Sequence, residues 1–252
     1  MILTIDVGNT STACAVFRKE SIVFRRHIPT PKRWPAGHLR TLLPAGWATR
    51  VRAVVSASVV PAHDQALAAD GRKILGLETL FLNHRTVTDV TLAIDKPSEL
   101  GADRIADCLG ALCFFNPPLI VIDSGTAITF DLLNAKKEYL GGCILPGIRI
   151  AISSLAENTA KLKEIAFAVP VSPLGANTVH SIRAGIFFGY VGALTHLIGL
   201  YRAILGPGSK VIATGGLIRH FRGRVPGIDR CEPDLLFHGL KRVYDQQTHR
   251  RP

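Results

Sequence analysis

Three carboxylates stand out by what surrounds them. Asp6 closes an apolar run, Ile2-Leu3-Thr4-Ile5, and is followed by Val7-Gly8-Asn9-Thr10. Asp123 closes a second run, Leu119-Ile120-Val121-Ile122, and is followed by Ser124-Gly125-Thr126-Ala127-Ile128-Thr129. Asp103 stands beside Arg104 and behind Gly101-Ala102. A carboxylate at a strand end, next to a turn with free backbone N–H groups, suits a metal-bound phosphate chain. Hard cations prefer oxygen ligands, and a phosphate-bound cation takes only one or two of them from protein. An Asp–Arg pair behind glycine offers a proton acceptor and a guanidinium for a carboxylate or phosphate. The plain structural alternatives are a solvated hairpin Asp, and a helix N-terminal Asp stabilised by the macrodipole with Arg104 paired to Asp107 one turn on.

These groups need elements to hold them. Ile2 to Ile5 is mostly β-branched and apolar, which predicts a buried strand, and Gly8-Asn9 tolerates the positive φ of a tight reversal. Thr12–Phe17 and Ser21–Phe24 predict the next two strands, and Val51–Ser58, Thr79–Leu82 and an edge segment Val87–Ile94 the rest of the first half. A helix is expected over Pro61–Leu75, interrupted by Gly71, and another from Pro97 to about Phe115, where Pro and acidic residues mark the start. Asn116-Pro117-Pro118 stops that helix and marks a domain boundary. The second half repeats the opening, with strands at Leu119–Asp123, Phe130–Leu133 and Tyr139–Leu145, helices at Ile148–Leu162 and Val179–Leu205, a strand at Lys210–Ala213 and a final helix over Leu235–Tyr244. Because both halves open on a strand that reaches Asp and turns through Gly and Thr, the chain reads as an α/β protein with a duplicated domain, residues 1–116 and 117–252, and a ligand cleft between the copies.

Composition narrows the function class. At 252 residues the chain can bury a substantial core, and 47% apolar content fits a globular α/β protein. No run looks long and uninterrupted enough to span a bilayer, and the N-terminus lacks the basic and cleavage regions of a signal peptide, so the expected place is the cytoplasm. The five cysteines, Cys14, Cys108, Cys113, Cys143 and Cys231, lack zinc-knuckle or dithiol spacing and read as reduced structural thiols. A net charge of +11 favours anionic substrates, but few aromatics interleave with the basic residues and no nucleic-acid-binding signature is present, so no specific nucleic acid is expected. The chain has neither a P-loop nor a dinucleotide glycine fingerprint, while Thr214-Gly215-Gly216 offers a bare surface for a nucleobase or ribose.

Taken together, Asp6-Val-Gly-Asn-Thr10, Gly101-Ala-Asp-Arg104, Asp123-Ser-Gly-Thr-Ala-Ile-Thr129, Gly141-Gly-Cys-Ile-Leu-Pro-Gly147, Gly175-Ala-Asn-Thr178 and Thr214-Gly-Gly216 resemble the ordered motif set of type III pantothenate kinases. These belong to the superfamily of acetate and sugar kinases, heat-shock chaperones and actin. The resemblance implies two tandem ribonuclease-H-like domains of the actin-like ATPase kind, a homodimer, and ATP-dependent phosphorylation of pantothenate. By motif it implies that Asp6, Val7, Gly8, Asn9, Thr10, Ser11, Thr12 and Ala13 surround the ATP phosphates, with Asp6 facing a divalent cation (Mg2+), and that Thr126 also touches ATP. Asp123 would ligate a monovalent cation, K+ or NH4+. Gly101, Ala102, Asp103, Arg104 and Thr178 would contact pantothenate, with Asp103 as the proton acceptor. The pattern departs at Ile94, where many members carry a pocket tyrosine three residues before the Pro of this segment. The competing expectations are a non-catalytic relative with a regulatory role, disfavoured by the intact Asp6, Asp103, Arg104, Asp123 and Thr178, and a sugar or acyl kinase or a phosphatase of the same superfamily, disfavoured by Gly101-Ala-Asp-Arg104.

Overall fold

A computed structural model describes residues 1–159, 162 and 164–249. It separates into two units, one made of Met1–Phe114 with Asp234–Pro252 and the other of Phe115–Pro233. The first unit starts with β1 (Ile2–Val7), β2 (Ser11–Arg18) and β3 (Ser21–Pro29), an antiparallel meander. β4 (Ala53–Ser58) returns parallel to β1, and β5 (Thr79–Phe81) lies parallel to β4, giving the order β3-β2-β1-β4-β5. Leu3, Ile5, Val7, Cys14, Val16 and Val54 point into one cluster with Leu39, Leu42 and Leu67. Alternating apolar positions on neighbouring strands fall on one face because the side-chain period of a strand is two.

Helix α1 (Pro61–Asp70) follows β4 and runs on as a single wide turn over Gly71–Leu75. Its last residue, Asp70, is buried and accepts from the Trp34 indole at 3.0 Å, the Gly37 N–H at 2.7 Å and the Leu39 N–H at 3.1 Å. One buried carboxylate thus anchors the Pro-rich loop, whose backbone donors would otherwise be unsatisfied. Only two residues of the expected edge segment 87–94 form a strand, β6 (Thr91–Leu92). Pro97–Glu99 forms a 3-10 turn and α2 runs over Ala102–Ala111, shorter than the expected helix to Phe115.

The second unit repeats the first. β7 (Leu119–Ser124), β8 (Ala127–Leu133) and β9 (Glu138–Pro146) form an antiparallel meander. β10 (Lys210–Thr214) is parallel to β7 and β11 (Arg230–Cys231) parallel to β10, so its strands run β9-β8-β7-β10-β11. This is the order of the first unit, strand for strand. Helices α3 (Ile148–Glu157) and α4 (Thr178–Leu205) pack on it, with Ile148, Ile152, Phe187, Leu194 and Ile198 joining Ile120, Ile122, Phe130 and Val211 in the core. The predicted extension of α3 to Leu162 crosses positions 160 and 161, which lie outside the described residues, as do Arg250 and Arg251.

Two expectations are corrected here. The last helix, α5 (Leu235–His249), groups with the first unit rather than closing a 117–252 domain. Glycine makes this packing: a Cβ on Gly239 would fall 1.8 Å from the Ala106 carbonyl oxygen, and one on Gly110 would fall 2.1 Å from that of Leu235, so α2 and α5 meet at bare backbone. Asp234 also takes the Arg25 guanidinium at 2.6 Å, and buried Lys241 reaches Glu20 at 2.8 Å. The second correction is α4, which is long and apolar enough by length and composition to cross a bilayer. Its Ala184, Phe187, Leu194 and Ile198 are buried in the folded unit, which accounts for part of its hydropathy.

Candidate active site

In the first unit β1 delivers Asp6 to the rim of the sheet, paired with Ala13 on one side and Ala57 on the other. The chain then reverses over Gly8-Asn9-Thr10. The Gly8 N–H donates to the Ser11 carbonyl at 3.0 Å, and a Cβ on Gly8 would come within 2.9 Å of that oxygen, so the reversal needs glycine. Asn9 and Thr10 are exposed at its tip. Thr12 is fully buried and its hydroxyl shares a 3.0 Å bond with the Thr30 hydroxyl. Thr30 in turn donates to the Gly8 carbonyl at 2.7 Å, and its N–H donates to the Thr10 carbonyl at 3.0 Å. Thr30 is therefore the brace of the turn, and sequence reasoning missed it. Its hydroxyl lies just past β3, and no spacing rule ties it to a turn twenty residues earlier.

Gly101 precedes α2 and has no side chain to cap it. A Cβ there would sit 2.4 Å from the Asp103 Oδ1, which accepts the Arg104 N–H at 2.8 Å. The helix start thus folds the Asp103 carboxylate back over Gly101, where the positive end of the helix dipole favours it. Val59 links this segment to the first. Its N–H donates to the Val7 carbonyl at 3.0 Å, and its side chain lies 3.6 Å from the Gly101 Cβ position. The Asp6 strand end and the Asp103 helix start therefore share a neighbour within one unit. Ile94 is half-buried.

In the second unit β7 carries Asp123 between Thr129 of β8 and Thr214 of β10. Gly125 and Thr126 are exposed at the turn, which closes through a Gly125 N–H to Ala127 carbonyl bond of 2.9 Å. Two glycines press on it: a Cβ on Gly147 would fall 2.0 Å from the Thr126 carbonyl, and one on Gly215, at φ +97°, 2.4 Å from that of Ser124. The Thr214-Gly215 strand end and the Asp123 turn are thus one backbone-lined surface. Thr178 opens α4, exposed, behind Asn177, whose Oδ1 accepts the His180 N–H at 2.9 Å. Behind the turn, buried Asp131 accepts the Tyr139 hydroxyl at 2.6 Å and the Thr129 hydroxyl at 3.2 Å, a brace equivalent in role to Thr30 that the sequence reading also missed.

Among the described residues no three His, Cys, Asp or Glu side chains cluster as a metal cage. A single carboxylate at each strand end instead fits a cation that arrives on phosphate and keeps most of its shell. The five cysteines are free thiols, and burial pushes Cys14 up to about 11, which suits a packing role.

Comparison with known proteins gives these turns a context. A sequence model described as type III pantothenate kinase matches residues 2–199. A type III pantothenate kinase of Myxococcus xanthus is 36% identical over 250 residues, covering 97% of this chain and 98% of its own length. One from Anaeromyxobacter is 37% identical over 258 residues, covering 98% and 99%. Among solved structures, a conserved Baf-family protein of Campylobacter jejuni superposes with a TM-score of 0.65 at 18% identity, over 98% of this chain and 99% of its own. The ROK hexokinase of Thermus thermophilus does so with a TM-score of 0.54 at 13% identity, over 98% and 99%. At these identities the structural matches speak for the fold, which is that of the sugar kinases and actin-like ATPases.

Proposed function

The chain belongs to the type III pantothenate kinase family, and from that premise we propose how its own residues perform the transfer of the ATP γ-phosphoryl group to the 4'-hydroxyl of pantothenate, the first step of coenzyme A synthesis. The observation that carries the assignment of roles is Gly101, whose missing Cβ lets the Asp103 carboxylate fold back over the start of α2. Asp103 orients the pantothenate hydroxyl and takes its proton late in the step. Phosphoryl transfer depends on in-line positioning and charge neutralisation more than on a strong base. Gly101, Ala102, Arg104 and Thr178 hold the acceptor, with the Arg104 guanidinium toward its carboxylate.

The run from Asp6 to Ala13, together with Thr126, holds the nucleotide. Asn9, Thr10 and the turn backbone face the phosphates, while the buried Thr12 hydroxyl supports the turn through Thr30. A divalent cation, Mg2+ by chemistry, would be held by Asp6 and supplies charge neutralisation across the phosphates. Asp123, beside the exposed Gly125-Thr126 turn, would hold K+ or NH4+. The reaction is cytoplasmic in this reading, and the basic surface draws anionic substrates.

We further propose a homodimer closed through α4. Its outward positions Ser181, Gly185, Phe188, Gly189, Gly192, His196, Gly199, Leu200, Ala203 and Ile204 carry no carboxylate, lysine or arginine. A Cβ at any of the four glycines would meet open space, and Ile204 is 66% exposed. Such a face is suited to close approach by an identical helix.

The test is an ATP-coupled assay with pantothenate, in potassium and in sodium buffers. The wild type should turn over in both and faster in potassium, and Asp103→Asn should lose about 10²–10⁴ in kcat. An inactive wild type in every cation would overturn the reading.

A further inference from the structure

The first unit carries a basic surface apart from the groups assigned to ATP and pantothenate. From Ser21 to His63 the sequence has seven arginines and lysines and no aspartate or glutamate. Four of these arginines, Arg26, Arg40, Arg50 and Arg52, are exposed, and contacts link them into one band. The Arg26 guanidinium donates to the Thr41 carbonyl, next to Arg40, and its carbon lies 5.3 Å from the centre of the Phe24 ring. Phe24 packs against Trp47 with ring centres 5.8 Å apart. The Trp47 carbonyl accepts the Arg50 N–H at 2.9 Å, and the Arg52 guanidinium donates to the Thr49 carbonyl at 2.8 Å. The next three carboxylates in sequence are engaged elsewhere. Asp64 bonds the Ser58 hydroxyl, Asp70 holds the Trp34 indole and two loop N–H groups, and Glu78 pairs with Arg72 at 3.0 Å.

Strand register sets this band away from the phosphate turn. Phe24 is level with Val16 and Leu3, and the Arg52 N–H bonds the Met1 carbonyl at 2.8 Å, beyond the start of β1. Asp6 stands at the other end of that strand, about 13 Å from Ile2 at the rise of an extended chain. Arg50 and Arg52 are therefore not among the groups that hold ATP.

The chemistry of the band selects its partner. Guanidinium groups stay charged and bond phosphate oxygens in pairs, and several in a row gain affinity by releasing the counterions of a polyanion. Trp47, half-buried among them, adds an aromatic ring, and a basic track with an aromatic ring suits unpaired bases. A bilayer suits it less. Among the described residues of the first unit the one large apolar side chain that is exposed is Val23. By the two-residue period of a strand it points to the face opposite Phe24 and Arg26, so the band has no apolar side chain to insert.

We propose that this band binds single-stranded nucleic acid without sequence preference, its guanidiniums on the phosphates and the Trp47 ring against a base. The test is fluorescence anisotropy of a labelled oligothymidylate, titrated with the full chain from about 50 to about 200 mM salt. Wild type is compared with the triple variant Arg40→Gln, Arg50→Gln, Arg52→Gln. A second triple variant, Lys136→Gln, Arg222→Gln, Arg224→Gln, lowers the total charge equally on the other unit. The first triple should weaken binding at least about tenfold at low salt and flatten the slope of log K against log salt by about 2. The second should cost less than about threefold, because charges beyond a Debye length are screened. Arg40→Gln alone, at an exposed position of the 3-10 turn His38–Leu42, should cost about threefold to tenfold and carries the test if the triple folds poorly. Intrinsic fluorescence reports the ring, since Trp34 is buried with its indole on Asp70, so saturable quenching by the oligonucleotide belongs to Trp47. Absence of binding at low salt, or equal losses in the two triples, would overturn the proposal. Binding without quenching would overturn the place given to Trp47. Binding to vesicles of phosphatidylserine and phosphatidylcholine, with none to the oligonucleotide, would overturn it in favour of a membrane surface.

Discussion

At the scale of single residues, the site is built by what glycine omits. Gly101→Ala adds one methyl group 2.4 Å from the Asp103 Oδ1, a distance no carbon can occupy, so the carboxylate must swing away. Displacing a reacting group by about 1 Å costs on the order of a hundredfold in rate. We expect kcat with pantothenate to fall by that order while the KM for ATP stays within about twofold and the melting temperature barely moves. Steady-state kinetics beside a thermal melt check this, and an unchanged kcat would mean that Asp103 takes no part. Thr30 offers a contrast, because it touches no proposed ligand but ties Gly8 and Thr10 together. Thr30→Val keeps the volume and removes the hydroxyl, leaving Thr12 buried without its partner. It should raise the KM for ATP by about threefold to tenfold, a loss of the size of one hydrogen bond, with the pantothenate KM unchanged. Equal shifts in both constants would assign Thr30 a general structural role instead.

At the scale of elements, the second unit is fastened at one end by Asp229. Its carboxylate accepts the Val211 N–H at 2.8 Å and the Lys210 ammonium at 3.0 Å, with Arg202 of α4 at 3.6 Å, so it joins β10, α4 and the loop before β11. Partial burial pushes its pKa up, but these donors more than offset that and hold it below the ordinary 3.8. A depressed carboxylate contributes stability that is fully present above its unfolded value and lost as pH falls through its folded value. Asp229→Asn should therefore cost about 1–2 kcal/mol at pH 7, and the gap between wild type and variant should close below pH 3.8. Urea unfolding at neutral and acid pH measures both, and a gap that persists in acid would contradict the assignment. The strands around this carboxylate were legible in the sequence, because β-branched runs ending in Asp or Thr have few other readings. The shared opening of the two halves, a strand that reaches Asp and turns through Gly and Thr, was legible for the same reason, while the order of the strands in each sheet was not. The placement of α5 was not. Its contacts run through Gly110, Gly239, Lys241 and Asp234 to residues more than a hundred positions away, and local pattern carries no record of such partners. Asp131 was missed likewise, since what makes it special is burial, and burial is decided by elements distant in sequence.

At the scale of the whole molecule, the proposed homodimer rests on the exposed face of α4. An α-helix of 28 residues is about 42 Å long. A strip of that length and about 10 Å wide falls short of the roughly 800 Å² per partner that a stable interface needs. In the proposed dimer the neighbouring elements would supply the remainder: Ile150 of α3 is 45% exposed and Ile144 of β9 63%, and the Tyr190 hydroxyl bonds the Pro146 carbonyl at 2.6 Å, holding the end of β9 against α4. Glycine at 185, 189, 192 and 199 leaves the backbone bare along the strip, so two helices can approach more closely than side chains would normally permit. Gly192, near the middle of the strip, is the position to test, since beyond the adjoining backbone of its own helix nothing lies within 4 Å of a Cβ built there. Gly192→Lys should fold at least as well as the wild type, because lysine is the better helix former by several tenths of a kcal/mol. In a symmetric interface it would bring two ammonium groups into the centre of an apolar contact, a desolvation cost that opposes the dimer. Sedimentation velocity at micromolar concentration should show a dimer for the wild type and a monomer for the variant, with matching circular dichroism. A variant that still sediments as a dimer would move the interface off α4, and a monomeric wild type would remove it.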